Sequence, residues 1–117
     1  MRASRGEIVL AQITFSDQTG SKKRPVVIVS SDQNNLMIDD VIVATISSRT
    51  RSGSMTHVIV DPNQPDGNGS GLLHPSFVQC ENIFTLDNAL ITRRMGKLSS
   101  TIQQEVDRCL RIALDLR

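Results

Sequence analysis

The stretch TGSKKRPVVIVS, residues 19–30, joins a polar turn to three cations and an apolar run. Its first letters, TGS, are typical of a turn. Pro25 begins the run, and the β-branched side chains that follow favour a short buried strand. The cations Lys22, Lys23 and Arg24 stand directly before that run. They are either solvated charges at a strand end or ligands for a phosphate, and the pattern alone leaves both interpretations open.

Further short strands are predicted on either side of this one. Apolar runs bounded by polar loops mark them at residues 7–15, 41–47, 56–60 and 76–84, with a last extended piece at 90–98. The segment DPNQPDGNGSG, residues 61–71, contains two prolines and three glycines. We therefore expect a loop without regular structure there.

One helix is predicted, near the C-terminal end of the chain. Ser100 and Gln103 have the spacing of a capping box. Apolar residues then recur with helical period at Ile102, Val106, Cys109, Leu110 and Ala113. Several short strands and one helix predict a mainly β protein, a small antiparallel barrel with the helix packed on it.

Composition restricts the possible functions. A chain of 117 residues fits one domain, which we place at residues 1–117. The formal net charge of +1 argues against a broadly basic surface that binds nucleic acid. An anion site therefore requires a local cluster of basic residues. No apolar stretch approaches the roughly 18 residues of a membrane span and no signal peptide is recognisable, so we expect a cytoplasmic protein. Two cysteines and two histidines, well separated in sequence, offer little material for a metal site.

Candidate chemistry lies in polar residues at strand ends. The sequence has no nucleophile motif and no phosphate-binding glycine loop. Arg24 precedes the second strand, and Ser47 ends the third, followed closely by Arg49 and Arg51. The planar fork of an arginine fits a phosphate, and a hydroxyl can donate to the same oxygens. These residues predict a phosphodiester site, with solvated loop charges as the alternative.

An ordered series of motifs runs along nearly the whole chain. It consists of RGEIVLAQ, KRPVVIVS, VIVATIS, THVIVD, SFVQCENIFTLD and GKLSSTIQQEVDRCLRIAL. Taken together and in this order, these motifs resemble the PemK/MazF-type toxins of bacterial toxin–antitoxin systems.

This resemblance implies an SH3-like antiparallel β-barrel with a C-terminal helix, of the CcdB/PemK-like kind, that forms a homodimer. It also implies an endoribonuclease that needs no metal or other cofactor, cuts single-stranded RNA (mRNA) at a short sequence and is inhibited by a cognate antitoxin. In such enzymes the reaction centre is the arginine before the proline and the hydroxyl that ends the third strand. These fall on Arg24 and Ser47.

The chain departs from the family at the loop before the arginine, where an acid is common and this chain has lysines. Asp17 and His74 are the candidates for a general base in its place. The set predicted to bind RNA comprises Lys22, Lys23, Arg49, Arg51, Asn82 and His74. His57 lies inside a strand pattern and is predicted to be structural. The loop at residues 61–71, running up to His74, is predicted to close over the RNA.

Two other functions stay open at this level. The same barrel resembles that of toxins that block DNA gyrase by binding, and these do not require the pair Arg24 and Ser47. A degenerate member of the family that binds only nucleic acid or its antitoxin is the third possibility, because the loop acid is missing.

Overall fold

The computed structural model describes residues 2–14, 20–49 and 54–117. Its strands are β1 (Glu7–Thr14), β2 (Ser21–Ile28), β3 (Asp40–Ser47), β4 (His57–Val60), β5 (Ser76–Asp87) and β6 (Ile91–Lys97). Its helices are α1 (Asp32–Met37) and α2 (Ser100–Leu114), and two 3₁₀ turns cover Pro65–Gly67 and Asn88–Leu90. No helix in the described ranges is long and apolar enough to cross a bilayer.

The six strands form one antiparallel sheet in the order β4-β5-β3-β2-β1-β6. The mainly β class with a C-terminal helix is therefore confirmed. Within the described residues β4 and β6 stand at the two edges of the sheet, so the sheet is open, whereas the sequence predicted a barrel.

Apolar side chains pack on both faces of the sheet. Val27 belongs to a core shared with α2, while Val26 and Ile28 belong to a second core on the opposite face. All three side chains are fully buried. A strand covered on both faces needs apolar residues at every position, which explains why this run does not alternate.

The strand β2 is longer than predicted, because it begins at Ser21 rather than at Pro25. Lys22, Lys23 and Arg24 lie within it and pair with β1. They are exposed, since this end of the β1–β2 hairpin extends beyond both cores. The three cations are therefore held on extended backbone and not on a loose turn.

Both helices are capped by a serine that precedes them. Ser31 Oγ accepts from the Asn34 N–H at 3.2 Å and starts α1, a helix that the sequence analysis did not predict. Ser99 Oγ accepts from the Ile102 N–H at 3.2 Å and starts α2. The predicted cap at Ser100 is therefore wrong by one residue, although the predicted helix is correct.

Candidate active site

Arg24 and Ser47 lie on the same face of two neighbouring strands. Val26 pairs with Thr45 between β2 and β3, and the same register continued by two residues brings Arg24 to the level of Ser47. Side chains at facing positions of antiparallel strands point to the same side of the sheet. Both belong to the face on which Val26 is buried. They lie at the end of their strands that extends beyond the core.

The hydroxyl of Ser47 organises the turn that follows β3. Ser47 Oγ donates to the Arg49 carbonyl at 2.9 Å and accepts from the Arg49 N–H at 3.0 Å. A hydroxyl has one donor and two acceptor sites, so its single proton is used in this state. Donation to a phosphate oxygen would require Ser47 to exchange the Arg49 carbonyl for the substrate.

A cleft of about 310 Å³ lies beside Arg24. Its floor is a row of residues across adjacent strands, in which Leu10 of β1 pairs with Pro25 of β2 on one side and with Arg93 of β6 on the other. Its rim carries polar groups from four parts of the chain. These are Arg24, Ser48, His74, Ser76 and Arg93.

One wall of the cleft is the end of the segment between β4 and β5. Gly71 has φ +75°, and a Cβ there would stand 2.1 Å from the Met95 carbonyl oxygen of β6. Ser70 is fully buried, and its Oγ accepts from the Leu72 N–H at 3.2 Å. This segment is packed against the sheet and includes a 3₁₀ turn at Pro65–Gly67, so the expectation of a loop without regular structure is wrong. Its end forms a wall of the cleft, and its closing over RNA stays a prediction.

The structure brings together only part of the predicted site. Arg24 and His74 line the same cleft. Lys22 and Lys23 are exposed on β2 just before Arg24, and Arg49 is exposed just after Ser47. Asp17 and Arg51 lie outside the described residues.

Asn82 lies away from the cleft, in an irregular part of β5. The pairing of β3 with β5 shifts between Ala44 and Thr45, so that Cys80, Glu81 and Asn82 lack facing partners on β3. Asn82 is exposed there. Nothing in its surroundings assigns it a ligand, and its contact with RNA stays a prediction.

His57 contacts Glu81 on β5. Its Nε2 lies 3.0 Å from Glu81 Oε2, and Thr56 Oγ1 donates to Glu81 Oε1 at 2.8 Å. Burial acts to raise the pKa of Glu81, but the hydrogen bonds from His57, from the backbone and from Thr56 outweigh it, so the pKa lies below its usual range. These contacts fit the structural role expected for His57.

The sequence analysis did not select Arg93, Ser48 or Ser76 as site residues. The floor of the cleft depends on the pairing of β1 with β6, in which Leu10 faces Arg93, a residue more than eighty positions away in sequence. Simple alternation in β6 would place Arg93 on the same side of the strand as Ile91. The pairing with β1 shifts between them, so that Arg93 pairs with Leu10 and Ile91 pairs with Ala11. Such alternation indicates a face, but not which other strand shares it.

Metal-ligating residues are not clustered in this part of the protein. The described residues contain no group of three or more histidine, cysteine, aspartate or glutamate side chains placed to hold a metal ion. Cys80 and Cys109 are both buried as free thiols. Burial, with the neighbouring Cys109, raises the pKa of Cys80 to about 12, so this thiol stays protonated.

An antiparallel sheet with a C-terminal helix, and a cleft lined by two arginines, define this small β protein. Residues 4–114 match the family model described as a PemK-like, MazF-like toxin of type II toxin–antitoxin systems. The chain belongs to this family.

Similar proteins match over nearly their whole length. Endoribonuclease MazF2 of Mycobacterium bovis and endoribonuclease MazF6 of Mycobacterium tuberculosis are each 34% identical, over 99% of this chain and 100% of the relative. The solved structure of the Mycobacterium tuberculosis toxin MazF-mt6 has a TM-score of 0.76 and 30% identity, covering 95% of this chain and 98% of that one. A mycobacterial endoribonuclease in complex with its cognate antitoxin has a TM-score of 0.80 at 21% identity, with coverage of 98% and 97%, and shows the shared fold.

Proposed function

We propose that this chain, an endoribonuclease toxin of the MazF-like family, cleaves single-stranded RNA at a short sequence through Arg24 and Ser47, with residues 1–117 acting as one toxin domain. The observation that supports this site is the placement of Arg24. It is exposed on a rigid strand, at the level of Ser47 and at the rim of the cleft. A planar cation held in this way is suited to a phosphodiester.

The reaction needs little covalent chemistry from the protein. The 2′-oxygen of RNA attacks the adjacent phosphorus and its proton passes to a base, while the bond from phosphorus to the 5′-oxygen breaks and that oxygen takes up a proton. The products are a 2′,3′-cyclic phosphate and a 5′-hydroxyl. Negative charge grows on the phosphoryl oxygens in the transition state, where Arg24 neutralises it and Ser47 donates a hydrogen bond. No step uses a metal ion or another cofactor.

The proton of the 2′-hydroxyl requires an acceptor. Of the two candidates, His74 lines the cleft together with Arg24, whereas Ser47 belongs to the opposite face of the sheet and does not line it. Asp17 lies outside the described residues. His74 is therefore the candidate that the described geometry supports.

The family of the protein and its exposed basic residues suggest two partners, RNA and an antitoxin. Lys22, Lys23 and Arg49 are exposed close to Arg24 or Ser47 in the chain and would attract RNA at long range. Arg51, outside the described residues, is predicted to add to this charge. An acidic segment of a cognate antitoxin protein would compete for the same cations. We propose in addition that the toxin acts as a homodimer in the cytoplasm.

End mapping of cleaved RNA tests this function. The purified protein is incubated with a long RNA in EDTA, and the new ends are identified by their reactivity. We expect cuts at a short common sequence, with 5′-hydroxyl ends and a 2′,3′-cyclic phosphate or the 3′-phosphate derived from it. A matched substrate with 2′-deoxy at the mapped nucleotide should resist cleavage. Intact RNA after incubation, together with inhibition of DNA gyrase, would favour the binding toxin instead.

A further inference from the structure

We propose that Cys80 and Cys109 form a modification site, a buried pair of thiols that hydrogen peroxide converts to a disulfide joining α2 to the sheet. Cys80 lies on β5 and Cys109 on α2, two elements that pack against each other. Both are free thiols, and the chain has no other cysteine. This role is separate from the proposed function, because it uses neither Arg24 nor the cleft.

The side chains of the two cysteines meet at the same level of α2. Cys80 Sγ donates to the Val106 carbonyl oxygen at 3.9 Å. The carbonyls of an α-helix point toward its C-terminal end, so this oxygen lies beside the turn that contains Cys109. Cys109 is three residues after Val106 and faces the same core. Its side chain is a hydrogen-bond partner of the Cys80 thiol, which places the two sulfur atoms next to each other.

Both thiols are protected while α2 is packed on the sheet. Cys80 is fully buried, and Cys109 is 3% exposed. Burial and the neighbouring Cys109 raise the pKa of Cys80 to about 12, so the thiolate that reacts with peroxides is scarce in this state. Oxidation of the pair therefore requires α2 to open locally.

The C-terminal end of α2 is where the pair can be uncovered. Cys109 is the last buried residue of the helix. Beyond it Leu110 and Ala113 are only partly buried, and Ile112 is 41% exposed. Elements with few buried contacts open more readily than the centre of a core. Opening of the last two turns would expose Cys109 and uncover Cys80, and reclosure would bring the two together again.

The reaction balances with hydrogen peroxide as the oxidant. The thiolate of one cysteine attacks a peroxide oxygen, the oxygen–oxygen bond breaks, and a sulfenic acid and one water molecule form. The sulfur of the other cysteine then attacks the sulfenic sulfur, the sulfur–oxygen bond breaks, and a second water molecule leaves. Two electrons pass from the thiols to the peroxide, and both thiol protons end in water. The disulfide closes a loop of about thirty residues, which restricts the unfolded chain and stabilises the folded one.

Mass spectrometry of the full chain after treatment with hydrogen peroxide tests the proposal. We expect the wild type to lose two hydrogen atoms per chain, and peptide mapping without reductant to find Cys80 linked to Cys109. The oxidised protein should melt about 10 °C above the reduced one, and dithiothreitol should reverse this shift. Cys80→Ala and Cys109→Ala, each shown by its own melting curve to be folded, should gain no such shift.

The opening of α2 is tested with a matched pair of variants at Arg111, an exposed residue in the last turn of the helix. Both variants remove the same charge, but glycine weakens the helix relative to alanine. We therefore expect the cross-link to form about fivefold faster in Arg111→Gly than in Arg111→Ala. Equal rates would overturn this route.

Three other results would overturn the modification site. The wild-type thiols could stay reduced or pass to sulfinic acid, which would leave the cysteines as core side chains only. The disulfide could form only between two chains. It could also form within the chain and lower the Tm, which would show that the fold does not accommodate it. RNA cleavage by the reduced protein is measured separately, so that a failure here leaves the proposed function standing.

Discussion

The Nε2 atom of His57 lies 3.0 Å from Oε2 of Glu81, across the pair of strands β4 and β5. Thr56 donates to the other oxygen of the same carboxylate at 2.8 Å. These contacts fix β5 at the point where its pairing with β3 shifts. They also keep the pKa of Glu81 below its usual range in spite of burial, which acts in the opposite direction.

Glu81→Gln should destabilise the protein at neutral pH, and the effect should disappear in acid. A carboxyl whose pKa is lowered by folding contributes stability above its unfolded pKa, and this contribution is lost as the pH falls through the folded pKa. We therefore expect a lower Tm for the variant at pH 7 and converging Tm values below about pH 4. Glu105→Gln, at an exposed position on α2, is the control. A Tm difference for Glu81→Gln that persists undiminished at pH 3 would contradict this explanation.

Ser47→Ala should slow RNA cleavage more than it weakens RNA binding. Removal of one donor to the developing oxyanion typically costs about 10²–10³ in rate. Ser47→Thr keeps the hydroxyl and should retain most of the activity. Single-turnover cleavage and anisotropy titration with a 2′-deoxy probe separate the two effects. An alanine variant that cleaves at the wild-type rate would limit Ser47 to its contacts with Arg49.

Gly71→Ala should destabilise the protein more than Gly20→Ala does. Both glycines have positive φ, +75° at Gly71 and +107° at Gly20, so both substitutions introduce backbone strain. Only at Gly71 would the new Cβ collide with backbone, at Met95, whereas nothing lies within 4 Å at Gly20. We expect Gly71→Ala to cost more than about 1 kcal/mol beyond the control in urea unfolding. Equal free energies of unfolding for the two variants would show that the wall adapts.

The strands and α2 could be predicted because their buried apolar residues form short runs or recur with helical period. The run after Pro25 is apolar at each position since both faces of β2 are covered, and the stripe through Ile102 and Val106 faces the core. The beginning of β2 could not be predicted, because an exposed hairpin end has no buried residues to mark it. The helix α1 was missed for the same reason, since Leu36 and Met37 are exposed and only Asn35 is buried.

The site was predictable only where it is local in sequence or resembles a known family. Arg24 precedes a recognisable strand, and its selection depends on that motif. Arg93 reaches the cleft only through the pairing of Leu10 with β6, and Ser48 and Ser76 only through the approach of the wall to the sheet. The periodicity of either segment does not predict long-range pairings of this kind.

The most direct test of the central claim is single-turnover cleavage of RNA by Arg24→Ala in EDTA, with Arg108→Ala as a control that also removes one exposed arginine. Arg24 is exposed, so we expect the variant to fold, and its Tm is measured beside that of the wild type. We predict that Arg24→Ala loses at least about 10²-fold in the cleavage rate, while Arg108→Ala cleaves normally. A folded Arg24→Ala variant that cleaves at close to the wild-type rate would contradict the account.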